Sequence, residues 1–424
     1  VFQCVPQKFY FLWIVFHMIE VLSREYIESL RYVREIPRFF DLPAVGRDVV
    51  AVVGPRRVGK THVLLKTAAS LLERGEQALY VSFEHLWTAS LDERRLAEEV
   101  RRVYPSGEVH LFLDEVQSWP HWDFRLRWLH DVRDFKIYVS GSTSELSAER
   151  VPSRLRGRYV SRLLLPLSFC EVASAARPET FREVGAARRL FEEYVKWGGF
   201  PEVWLSKSLD KVRALVDTVF YRDVVERRRV RDVEGLEALF KTVLENYANP
   251  VTWRSLSRSL GLDVKTTAAY VRYLSECYFV HVVERYGPAR RRARAPRKLY
   301  LVDTSFTYLS KAGLDMGRRL ENVVYIELLR KAAARGGRIY YVDVNGVEVD
   351  FAYVEGDAVE LYEVAYEPDE RHAEKLRKAA KRLGASRGVL ISWDSEDYGA
   401  VPAWRWLLAS CPAAGPPQGG FRNF

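Results

Sequence analysis

Between residues 48 and 165 the chain alternates short, continuously apolar runs with longer stretches of helical spacing. "DVVAVVG" (48–54) is apolar and β-branched, and a glycine-containing loop and a helix over Thr61–Arg74 follow it at once. "QALYVSFE", "EVHLFLDE", "KIYVSGS" and "RYVSRLLLPLS" supply four further strands. Ser90, with Glu93 three residues on, reads as the capping box of another helix. Apolar strands without polar alternation, separated by helices, predict a parallel sheet covered on both faces.

Past Pro166 the spacing turns helical, in "RRLFEEYVKWGGFPEVWL" and "VRALVDTVFYRDVVERRRV", with a break at Gly198–Pro201. Three short helices follow, at Leu236–Tyr247, Thr252–Leu260 and Val264–Glu276. A strand, a basic loop and a second strand, "KLYLV", lead into an α/β segment over 321–408. A Gly/Pro-rich tail, 409–424, reads as disordered. The sequence holds no internal repeat.

At 424 residues the chain exceeds one ordinary core, and 48% hydrophobic residues supply a soluble protein of several domains. The formal charge of +9 is local: "RYGPARRRARAPRK" (285–298) has seven basic residues and no acidic one. Such a patch points to phosphate contact, a solvated loop being the plain alternative. Cys4, Cys170, Cys277 and Cys411 lie far apart without a CxxC pair. That argues against a metal cluster or disulfide framework and for a reducing cytoplasm. Arginine outnumbers lysine and thermolabile residues are scarce, a mark of a hot-living source that GC-rich coding also leaves. "FYFLWIVFHMI" (9–19) is too short to span a bilayer, and no small-residue cleavage site follows it. No membrane role is expected, and residues 1–17, ahead of Met18, read as an extension absent from the native protein; the doubtful stretch runs to 20.

"GPRRVGKT" (54–61) fits the phosphate-loop pattern G-x-x-x-x-G-K-[ST], with its required strand before and helix after. Gly54, Pro55, Arg56, Arg57, Val58, Gly59, Lys60, Thr61 and His62 form the candidate nucleotide-binding set. The glycines let backbone amides curl round a triphosphate, Lys60 reaches its outer phosphates, and Thr61 offers a hydroxyl to Mg2+. "LFLDE" (111–115) is an apolar strand ending in two acids. Asp114 is the second candidate magnesium ligand, and Glu115 the group that polarises an attacking water.

Together with "LFLDEVQSWPHW", "YVSGSTSEL", "RLRGRYVSRLLLPLSF", "WGGFPEV", "FYRDVVERR" and "RAPRKLYLVDTSF", the phosphate loop makes the chain resemble the AAA+ ATPases. It resembles more closely one prokaryotic group of them frequent in archaea, and the motifs cover most of 45–365. The resemblance implies an α/β fold: a P-loop NTPase (AAA+) parallel sheet over 21–165 with a helical lid over 166–235. A winged helix over 236–320 and a small α/β domain of restriction-endonuclease type over 321–408 would follow. It implies ATP and Mg2+ as ligands, with Thr143, then Ser142, as the polar residue that senses the γ-phosphate. Arg156 and Arg158 fall where such proteins place an arginine that reaches a neighbour's nucleotide, which would require a homo-oligomer; a salt-bridged surface loop is the plain alternative. "GGFP" reads as a structural turn.

"LSRSLGLDVKTTAAYVRYL" has the spacing of a helix-turn-helix, with Leu256, Leu260, Val264, Val271 and Leu274 as its core. Lys265, Thr266, Thr267, Tyr270 and Arg272 are candidates for its exposed face, and the loop carrying Arg290, Arg291, Arg292 and Arg294 for a DNA-following wing. Winged helices also dock proteins. In the final segment Glu321 (or Glu327), Asp350 and Glu363 match the acids of a nuclease site. Ala365 stands where the pattern wants lysine, with Lys375 the conceivable substitute, so Asp350 and Glu363 are expected to be vestigial metal ligands. The reading is a cytoplasmic ATPase coupling Mg-ATP to DNA or partner binding. A nucleotide-gated protein-docking switch and an ATP-regulated nuclease are its alternatives.

Overall fold

The computed structural model describes residues 18–43, 46–142, 146, 153–174, 180–310, 313–344 and 346–411. The expected N-terminal extension and most of the expected tail lie outside the described residues. The chain forms two compact units. The first takes everything up to Leu164 except 36–39 and 55–58; the second takes those two segments and everything from Leu165.

In the first unit α1 (Met18–Glu28) precedes β1 (Val49–Val53), α2 (Lys60–Glu73), β2 (Ala78–Ser82), α3 (Leu86–Ser90) and α4 (Glu93–Val103). β3 (Val109–Asp114), α5 (Trp122–Val132), β4 (Phe135–Gly141) and β5 (Tyr159–Leu163) complete it. The five strands form a parallel sheet in the order β2-β3-β4-β1-β5. Every residue of β1, β2 and β3 is buried. Successive side chains point to opposite faces, so both faces are covered, which is why these strands lack polar alternation. This is the α/β fold of a P-loop NTPase. One local expectation fails: Ser90 ends α3, and Asp92 caps α4, its carboxylate accepting from the Arg95 amide at 2.8 Å.

The second unit begins with α6 (Phe169–Val172), α7 (Phe181–Trp197), α8 (Pro201–Ser206) and α9 (Leu209–Asp217), which continues as a π-helix over Thr218–Glu226. The break between α7 and α8 is a turn: the Gly199 amide donates to Asp303 at 2.7 Å, and a Cβ on Gly198 would stand 1.8 Å from that carboxylate. Then come α10 (Val233–Asn246), β6 (Pro250–Val251), α11 (Trp253–Leu260), α12 (Val264–Glu276), β7 (Val280–Val283), α13 (Ala289–Arg292) and β8 (Arg297–Leu301). The strands pair antiparallel in the order β6-β8-β7.

Leu256, Val271 and Leu274 are buried as expected, but Val264 is 39% exposed. Thr267 and Tyr270, expected on the surface, are buried: the Thr267 hydroxyl donates to the Asp263 carbonyl and the Tyr270 hydroxyl to that of Asp232. The expected wing is not an extended loop. Pro288 leads into α13, the Tyr286 amide donates to the Tyr341 carbonyl, and Arg292 donates to the Tyr340 hydroxyl at 2.9 Å.

A separate sheet closes the unit, after α14 (Met316–Arg335). It holds β9 (Arg338–Val344), β10 (Val347–Glu355), β11 (Ala358–Ala365), β12 (Arg387–Ser392) and β13 (Val401–Pro402), in the order β13-β12-β11-β10-β9. α15 (Glu370–Leu383) joins β11 to β12, and α16 (Ala403–Ala409) follows β13. The cysteine expectation needs correcting here. Cys170 and Cys411, 241 residues apart in sequence, form a disulfide with a Cα–Cα distance of 5.6 Å. No spacing rule reaches across such a separation, since folding alone brings the two together. Cys277 is free and buried.

Candidate nucleotide site

β1 ends at Val53 and the chain turns at once. A Cβ on Gly54 would stand 2.1 Å from the Leu164 carbonyl oxygen, so only glycine passes there. Gly59, at φ 98°, precedes the first residue of the 14-residue helix α2 and directs its opening amides into the loop. Lys60 is buried and its ammonium donates to the Gly54 carbonyl at 3.1 Å, back toward the end of β1.

Thr61, one residue on, donates its hydroxyl to Asp114 Oδ2 at 2.7 Å. The last residue of β3 is thereby joined to the first turn of α2. Asp114 also accepts from the Tyr80 hydroxyl at 2.6 Å and from the Ser140 hydroxyl. Burial, and then the neighbouring Glu115, raise the Asp114 pKa, against the pull of these three donors. Thr61 and Asp114 offer two converging hard oxygens. That suits Mg2+, which takes one or two protein ligands and leaves its other positions to water and phosphate.

Glu115 sits in the left-handed region at φ 49°, its amide bound to Ser140 Oγ at 3.0 Å. Its carboxylate accepts from Ser142 at 3.2 Å and from Gln117. β4 lies between β3 and β1 in the sheet, so its polar tip, Ser140 to Ser142, meets the acids. Thr143 lies outside the described residues; Ser142 is the polar group that touches Glu115. Sequence reasoning missed Tyr80, Ser140 and Gln117. The hydroxyls at the ends of the apolar runs "ALYVS" and "IYVSGS" were the available signal.

Other candidates go elsewhere. Pro55–Val58 groups with the second unit, and there Arg56 makes a two-bond pair with Asp223 (2.8 and 2.9 Å) and Arg57 pairs with Glu202 at 3.1 Å. Val58 is buried and His62 half-buried. Arg156 is exposed and Arg158 half-buried, and neither forms an ion pair among the described residues. The arginine engaged on that loop is Arg154, bound to Asp123 at 3.0 Å and stacked over Phe124.

Of the basic residues near the helix-turn-helix spacing, Lys265, Arg272, Arg290, Arg291 and Arg294 are exposed. Arg292 is drawn in, facing Glu284 at 3.8 Å. The C-terminal acids are occupied by lysines. Lys298, buried on β8, lies 3.1 Å from Glu321, 2.8 Å from Glu348 and 3.4 Å from Asp350, and Lys375 pairs with Glu363. Burial would lower the Lys298 pKa, but the three carboxylates outweigh it and hold it above the ordinary lysine value. Burial and then Asp350 push both Glu321 and Glu363 upward. Glu327 pairs with Arg330 instead. Ala365 packs into an apolar cluster with Leu376, Ala379 and Leu390, so a lysine there would enter a hydrophobic core. Among the described residues no group of His, Cys, Asp or Glu is arranged to hold a metal ion by itself. No helix among them is long and apolar enough to cross a membrane.

Residues 46–173 match the family described as an AAA domain, and residues 188–316 match a domain family of unknown function. An uncharacterized protein of Methanocaldococcus jannaschii is 26% identical, the match covering 92% of this chain and 95% of that protein. An uncharacterized protein of Haemophilus influenzae is likewise 26% identical, over 83% and 90%. Among solved structures, AMPPCP-bound DnaA from Aquifex aeolicus is similar at 16% identity and a TM-score of 0.24, over 65% of this chain and 90% of that one. PCH-2 of C. elegans is similar at 14% identity and a TM-score of 0.26, over 62% and 66%.

Proposed function

We propose that the protein is an ATPase in which Mg-ATP binding and hydrolysis are coupled to binding of DNA through the helix-turn-helix segment. The observation that carries the reading is the meeting of the phosphate loop with the acidic end of β3: Lys60 curled onto Gly54, and Thr61 bonded to Asp114. The AAA domain match over 46–173 supports it. The loop amides and the Lys60 ammonium bind and orient the phosphates. Thr61 and Asp114 would hold Mg2+, which would supply neutralisation of phosphate charge. Glu115 accepts the water's proton, oriented by Ser142 and Gln117.

Residues 166–235 act as the lid, 236–320 as a winged helix, and 321–408 as a nuclease-like domain that binds rather than cuts. Lysine occupancy of its acids and the apolar setting of Ala365 favour that. Arg156 and Arg158, which form no ion pair among the described residues, are suited to complete a neighbour's site in an oligomer. One observation favours a second reading, a nucleotide-gated switch with negligible turnover: the Glu115 carboxylate is already held by two donors. Steady-state ATP hydrolysis with and without duplex DNA, with Lys60→Ala as the control, separates the two. DNA-stimulated turnover lost in the variant supports the coupled ATPase. Tight ATP binding without turnover, indifferent to DNA, overturns it in favour of the switch.

A further inference from the structure

Where the π-helix ends the chain runs Arg227-Arg228-Arg229-Val230-Arg231-Asp232, and beside this run the second unit has a cavity of about 420 Å³. Its walls combine Arg228, Arg229 and Arg231 with Thr266, Tyr270 and Tyr273 of α12. The volume falls within the range of about 300–1,000 Å³ usual for ligand pockets.

The charges are not equivalent. Arg228 is committed, bound to Glu276 at 2.6 Å with its guanidinium over the Tyr273 ring. Arg229 and Arg231 are exposed and form no ion pair among the described residues. The acids that share the wall are turned toward amides. Asp232 accepts from Gly235 N at 2.8 Å, and Asp263 accepts from Lys265 N and Thr266 N at 2.8 and 3.1 Å. Two helices, α10 and α12, begin at this cavity, and the two aspartates cap their opening amides, so the attraction for an anion comes from the arginines. Tyr270, its hydroxyl tied to the Asp232 carbonyl, fixes one wall. Tyr273 is half-buried, and the Arg228 and Arg272 guanidiniums lie against its ring.

Two uncommitted guanidiniums beside a partly exposed tyrosine, with room for one small unit, fit a nucleotide. Lys265, exposed next to Thr266 of the lining, and Arg272, exposed beside Tyr273 though shared with Glu276 at 3.8 Å, extend basic side chains past the cavity, as a polymer of phosphates requires and a free nucleotide does not. We propose that this cavity takes one nucleotide unit of a DNA strand, with its phosphodiester on Arg229 and Arg231 and its sugar or base against Tyr273. The inference rests on the DNA-binding reading above and adds a site that the wing arginines do not supply.

The test uses the full-length protein and a short fluorescein-labelled duplex, with binding followed by anisotropy between about 50 and 200 mM salt. Arg229→Gln/Arg231→Gln is compared with Arg290→Gln/Arg291→Gln/Arg294→Gln and with Tyr273→Ala, and unfolding midpoints verify that each variant is folded. The pocket variant is expected to bind about tenfold or more weakly at low salt, its slope of log affinity against log salt reduced by about two. Tyr273→Ala is expected to weaken binding with the slope unchanged. A pocket variant equal to wild type beside a weakened wing variant overturns the pocket and leaves the DNA reading standing. A wild-type protein that binds no duplex at low salt overturns both. If calorimetry shows AMP binding that the pocket variant loses while duplex affinity is unchanged, the cavity is a free-nucleotide site and the inference is overturned.

Discussion

Thr61 and Asp114, fifty-three residues apart in sequence, are joined by a hydroxyl–carboxylate hydrogen bond of 2.7 Å. The phosphate loop and the acidic strand end thus arrive as one assembly. Thr61→Val removes the donor and one candidate metal oxygen. Mg2+-dependent ATP affinity is expected to fall about 10–100-fold, the worth of a hydrogen bond to a charged group, and Thr61→Ser to restore most of it. Titration calorimetry with and without Mg2+ checks this; equal affinities for Thr61→Val and wild type would remove Thr61 from the metal site.

Glu115→Gln keeps the shape of the side chain and removes its basicity. Turnover is expected to drop about 10²–10⁴-fold, the usual contribution of general base catalysis, while ATP binding persists. Ser142→Ala, which loses one of the hydrogen bonds that orient Glu115, is expected to give a smaller loss. Single-turnover hydrolysis read beside nucleotide affinity distinguishes a chemical defect from a binding one.

The sheet was legible in the sequence because burial on both faces leaves continuous apolar runs, and β1 through β5 fall on the runs read as strands. The phosphate loop was legible because its glycines and lysine must be contiguous. The partners of Asp114 were not. Tyr80 and Ser140 sit on other strands, and only the order β2-β3-β4-β1-β5 makes them neighbours. Lys298 was misread for a related reason. It was counted within a basic run that pointed to phosphate contact, yet it is buried in "KLYLV" and faces three carboxylates. Val264 was misplaced because helical spacing alone does not say which apolar residue the neighbouring helix covers.

His281 on β7 has its Nε2 buried without a hydrogen-bond partner among the described residues, and burial pushes its pKa down to about 4. In the unfolded chain the value is about 6.5. The folded state therefore binds fewer protons, so the stability from keeping His281 neutral is present above pH 6.5 and lost as pH falls through 4. The loss approaches about 3 kcal/mol. Denaturant unfolding of wild type and His281→Phe across that window is expected to show a shallower acid loss in the variant. Parallel profiles would count against the assignment.

Cys170 and Cys411 close nearly the whole second unit into one loop. Cys411→Ser, or reduction of wild type, is expected to lower stability by about 2–5 kcal/mol. Thiol titration of denatured protein kept oxidised should find thiols outside the Cys170–Cys411 pair reactive, Cys277 among them, and that pair silent until reductant is added. Reactivity of that pair without reductant would mean the bridge is absent. A bridge that persists inside the cell would weigh against the reducing setting expected from cysteine spacing, unless the source is a hyperthermophile.

Lys298 belongs to the three-stranded sheet, while Glu321 and Asp350 belong to α14 and β10. The residue boundary near 320 is thus a seam in sequence but not in electroneutrality. A gene shortened before α14 would leave a buried ammonium without counter-charge, and the C-terminal segment expressed alone would carry acids stripped of theirs. A recombinant that exchanged this segment would keep its acids paired only with a basic residue at the matching point of the upstream sheet. That dependence turns two adjacent pieces of chain into one heritable cassette.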